Sequence, residues 1–77
     1  MAKLKNDDFD PAIAYRNIKS RAIKLGYRDM KHLAGETGFK YITLMNKLRG
    51  LSPWLLKEAR VISKALNAGI EELFYER

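Results

Sequence analysis

Between Gly38 and Gly50 the chain reads GFKYITLMNKLRG, thirteen residues without a single carboxylate. Phe39, Leu44 and Leu48 are its apolar anchors, and Leu44 and Leu48, four apart, share one face of a helix. Between and beside them stand Lys40, Tyr41, Ile42, Thr43, Met45, Asn46, Lys47 and Arg49, more than a core of this size can absorb. Three of these eight are cations. A short helix held by its back and presenting a polar, cationic front is what reading the major groove of DNA requires. No competing chemistry is visible. His32 is the only histidine and has no Asp or Cys cluster beside it, so it reads as a surface or capping residue. Ser20, Thr37, Ser52 and Ser63 lack a histidine partner at any spacing that suggests a nucleophile and its base. Glu71 and Glu72 are adjacent, point different ways on a helix and read as a solvated face. There is no glycine-rich phosphate loop. The expectation is therefore no catalytic residue, no metal site and no cofactor.

The elements that must position this front follow from local signals. Asp10-Pro11 is a helix start, with Asp as cap and Pro at the first helical position. PAIAYRNIKSRAIKL then places Ala14, Ile18, Ala22 and Leu25 on one stripe, with Gly26 as the stop. Asp29 caps a second helix from Met30 to about Thr37, with Leu33 inward and Ala34 small at a close crossing. Gly38 turns the chain with positive φ and Phe39 plugs the core. The third helix runs from about Tyr41 to Leu48 and ends at Gly50. In LSPW, either Ser52-Pro53 caps the next helix or Trp54 and Leu55 are loop residues packed on the core. A fourth helix covers about Leu56 to Leu66, with Leu56, Ala59, Ile62, Ala65 and Leu66 inward, and a fifth runs from Ile70 to about Tyr75. Trp54 and Phe39 read as core, Tyr41 as exposed. The pattern is an all-α, five-helix domain over residues 10–77, preceded by a flexible arm over residues 1–9.

Seventy-seven residues allow one domain with a modest core. With no cysteine, neither a disulfide nor a cysteine-based zinc site staples it. A 47% hydrophobic and 31% charged composition is that of a compact soluble domain. No apolar run reaches the roughly 20 residues that cross a bilayer, and MAKLKNDDFD is no signal peptide, so a cytoplasmic, nucleoid-associated protein is expected. The formal charge of +6 is unevenly spread: residues 16–60 carry eleven Lys and Arg against three acids, while each end is net negative by one. The middle of the domain would draw in a polyanion, although a merely solvated basic surface fits the charge equally well.

The stretch Leu33 to Gly50 resembles the helix-turn-helix of the Cro and lambda-repressor-like family in spacing: Leu33-Ala34, Gly38, an apolar residue, Leu44 and the closing Gly50. ARVISKAL and IEELF are similar to that family's fourth and fifth helices, so the resemblance spans about residues 15–75. It implies that the third helix reads bases through Tyr41, Ile42, Thr43 and Asn46. Asn46 suits the N6/N7 edge of adenine, Thr43 a base or a thymine methyl, Ile42 a thymine methyl, and Tyr41 a base or a phosphate. Arg28, Lys31, Lys40, Lys47 and Arg49 are the phosphate candidates, which set register without reading sequence. The chain departs from the family in four ways. Lys40 stands where a capping Ser or Thr is usual, Thr37 and Lys47 stand at core aliphatic positions, Met30 replaces a glutamine, and one extra residue lies between Gly26 and Leu33.

The resemblance implies a small phage- or prophage-type transcriptional regulator, a repressor that inserts its third helix into the major groove of a palindromic operator. One such helix reads too few base pairs alone, so a weak homodimer is expected. Ile70, Leu73, Phe74 and Tyr75 are its candidate contact surface, unless they simply close the monomer's core. The competing reading is a protein-interaction module such as an antitoxin.

Overall fold

Asp10 opens the first helix: its carboxylate accepts the Ala12 N–H at 2.9 Å, and Pro11 stands at the first turn. The computed structural model describes residues 9–76, and there this start leads into α1 (Pro11–Lys24). Asp29 starts α2 (Met30–Thr37) in the same way, accepting the His32 N–H at 2.8 Å. The chain continues through α3 (Tyr41–Leu48), α4 (Leu56–Leu66) and α5 (Ile70–Phe74), with no strand among the described residues. None of these helices is long and apolar enough to cross a membrane.

The corners share one device. After α2 the chain turns at Gly38, φ 84°, and the Phe39 N–H reaches back to the Ala34 carbonyl at 3.0 Å. After α3 it turns at Gly50, φ 81°, and the Leu51 N–H reaches the Asn46 carbonyl at 2.8 Å. Both positions use the left-handed backbone that glycine adopts without a Cβ clash. Asn67, φ 51°, fills the same place after α4, with Ala68 N–H on the Ser63 carbonyl.

α1 packs against all four other helices. α3 rests on α1 and α2, whereas α4 rests on α1, α2 and α5 and meets α3 through the ion pair of Glu58 with Lys47. Ala14, Ile18 and Ala22 of α1 are sealed at the centre, with Leu33, Leu44, Leu48, Ile62 and Leu66 around them. Trp54 is the largest buried side chain. Its ring meets Phe74 edge-on at 5.0 Å and Phe39 at 6.3 Å, while its Nε1–H has no acceptor among the described residues. Arg21 ties α4 to α1 by donating to the Leu66 carbonyl at 2.9 Å and the Asn67 carbonyl at 2.8 Å. A guanidinium placed on a helix's unpaired C-terminal carbonyls is favourable both as donor and as charge.

The structure corrects the expectations for Leu25 and Phe9 and decides between the alternatives at Ser52–Leu55 and at the C-terminal apolar residues. Leu25 is exposed, because α1 ends at Lys24 and the backbone swings out of helical register before Gly26. α4 is capped not by Ser52 but by Glu58, whose carboxylate accepts the Leu55 N–H at 2.9 Å; Trp54 and Leu55 are the loop residues of the other alternative. Residues 1–8 of the expected arm lie outside the described residues. Phe9, counted with that arm, is half-buried against Phe74 and Tyr75. Leu73 and Phe74, expected at a dimer contact, are sealed in the core, with Ile70 and Tyr75 half-buried against it. This end of the chain closes the monomer.

Candidate nucleic-acid interface

α3 is held by four residues, not two. Leu44, Met45, Lys47 and Leu48 are all buried, because the helix sits in the angle between α1 and α2 and both flanks of its back are covered. Met45 and Lys47 are thus absorbed by the core, contrary to expectation. At 100° per residue, what remains outward is a strip of Ile42, Asn46 and Arg49, at i, i+4 and i+7, with Thr43 beside it. Ile42 is 62% exposed, Thr43 and Asn46 are half-buried, and Arg49 is exposed. Tyr41, 47% exposed, stands at the first position of the helix on the side of Leu44, Met45 and Leu48, and is reachable because the helix begins there. Ile42 and Asn46, with Thr43 on one flank, therefore share one reachable side, and Tyr41 stands apart from it at the start of the helix.

Lys47 does not belong to that side. Its Nζ donates to Glu58 Oε1 at 2.8 Å and to the Pro53 carbonyl at 3.0 Å, and the residue is only 7% exposed. The same Glu58 oxygen accepts the Leu55 N–H, so one carboxylate joins α3, the following loop and the start of α4. An amine engaged this way is not offered to a phosphate, and Lys47 is removed from the phosphate candidates. The reason is geometric: a lysine at a core position has a stem long enough to reach a polar partner at the rim of the core. Sequence reasoning overlooked Glu58, although its place three residues after Leu55 has the spacing of a capping box.

The other four cations are free. Arg28 and Lys31 are exposed at the start of α2, Lys40 immediately precedes α3, and Arg49 follows it. None of their charged groups pairs with a described residue. Lys40 caps nothing, so the first turn of α3 carries no side-chain acceptor. Met30, which replaces a glutamine of the resembled family, is turned into the core. His32 faces Glu36 at 3.6 Å and accepts the Arg28 N–H through Nδ1, the arrangement of a local capping residue. No three His, Asp or Glu side chains gather as metal ligands among the described residues. The chain matches no family model, no curated protein and no solved structure.

Proposed function

We propose that α2, Gly38 and α3 form the helix-turn-helix of a Cro-like transcriptional regulator that binds duplex DNA in a sequence-specific way. The observation carrying this reading is the outward side of α3. Ile42, Thr43 and Asn46 face away from a fully packed back, Tyr41 is exposed at the helix start, and four cations unpaired among the described residues stand at the start of α2 and at the two ends of α3. Asn46 supplies the donor–acceptor pair that matches adenine, and Ile42 the apolar contact that matches a thymine methyl. Arg28, Lys31, Lys40 and Arg49 hold the phosphates on either side, and the uncapped N–H groups that open α3 favour an anion there. Occupying an operator and excluding polymerase makes the protein a repressor of phage or prophage type. Two copies on a palindrome, weakly paired off DNA, supply the discrimination that one short helix lacks.

Selection of bound duplexes from a random pool tests this reading. The expected result is a palindromic consensus with half-sites about 34 Å apart. Asn46→Ala and Tyr41→Ala should lose that consensus while remaining folded. Absence of any salt-sensitive duplex affinity would overturn the reading altogether.

A further inference from the structure

α4 carries a second charged face that the proposed DNA contact does not use. Lys57, Arg60 and Lys64 are exposed at i, i+3 and i+7, a row about 10 Å long at the helical rise. None of the three pairs with a described residue. The only carboxylate on this helix, Glu58, is turned under it and engaged by Lys47 and the Leu55 N–H. Val61, 37% exposed, lies beside the row and borders an open recess lined also by Thr37, Gly38, Phe39, Leu55, Lys57 and Glu58, the Glu58 carboxylate there being already paired with Lys47. Three cations without a partner among the described residues, beside a partly apolar recess, form a two-part surface.

We propose that this face docks an acidic segment of a partner protein, its carboxylates along Lys57, Arg60 and Lys64 and one bulky apolar side chain in the recess at Val61. Charge complementarity selects an acidic occupant. The recess selects protein over nucleic acid, because a phosphate backbone has no side chain to bury there. The row lies on α4 alone, which is joined to α3 through the Lys47–Glu58 ion pair on its inner side. The inference does not depend on the DNA reading, and a regulator so built is able to hold a partner and an operator through different helices.

The test pans a random-peptide library on the full chain, then measures the enriched peptides as labelled synthetic probes. Enriched sequences should combine an excess of Asp and Glu with a large apolar residue. The triple variant Lys57→Gln, Arg60→Gln, Lys64→Gln and the single variant Val61→Asp should each weaken them about tenfold or more. Circular dichroism on each variant checks folding, and all these sites are exposed. Asn46→Ala should leave peptide affinity unchanged and lose only the duplex consensus. Enrichment without acidic excess, or peptides that bind the triple variant as well as the parent chain, would overturn the proposal. So would a triple variant that loses the selected duplex consensus, since the row would then be a nucleic-acid contact.

Discussion

Lys47 places an amine where a core aliphatic would do the same packing, and its worth is set by what it leaves behind when removed. Lys47→Ala strips Glu58 of its cation and opens space behind α3. We expect a loss of about 2–3 kcal/mol in urea unfolding, below the range for a sealed pair because Glu58 keeps the Leu55 N–H and some access to water. Lys47→Met keeps the stem but strips Glu58 of the same cation, so it should recover only the packing part of that loss and still cost about 1–2 kcal/mol. The same residue separates a buried cation from a working one. In duplex binding, Lys40→Gln and Arg49→Gln should each reduce the slope of log affinity against log salt by about 0.9, whereas Lys47→Met should leave it unchanged. A shallower slope in Lys47→Met would restore Lys47 to the phosphate contacts. From sequence, Lys47 looked like its exposed neighbours, because burial of a charge depends on a partner eleven residues away.

At the scale of elements, most boundaries were legible because their causes are local. Asp10, Asp29, Gly38 and Gly50 act within five residues of where they stand. The faces were less legible: Met45 and Lys47 are buried only because α1 and α2 converge on both sides of α3. Gly35 is different again. A Cβ there would meet nothing within 4 Å and its backbone is helical, so Gly35→Ala should stabilise α2 by about 1 kcal/mol. Gly38→Ala should cost about 1–2 kcal/mol from the left-handed backbone alone. Gly50→Ala should cost more than Gly38→Ala, since its Cβ would also press on Pro11 Cγ at 3.1 Å. Equal losses at the two sites would show that Pro11 yields freely. Lys40→Ser should add the missing cap to α3, raising stability by about 1 kcal/mol while removing one phosphate contact.

At the scale of the molecule, α1 is the shared wall of every other helix, so no helix can leave without exposing part of its stripe. The five-helix architecture followed from periodicity and caps. The closure of the core did not: Leu73 and Phe74 carry the same apolar signal whether they meet a second copy or α1, and only the path of the chain decides. The candidate site was legible in its residues and not in its depth.

Trp54 gives this packing an optical signature. It is the only tryptophan, and it is sealed between Phe39 and Phe74. An indole sealed among apolar side chains emits at short wavelength, and its emission should move to the red as the chain unfolds. Because Phe39 stands between Gly38 and α3, the same emission reports on the corner that aims α3. The stability differences expected for residues 35, 38, 40, 47 and 50 are thus all readable without a label, from the chain's own fluorescence.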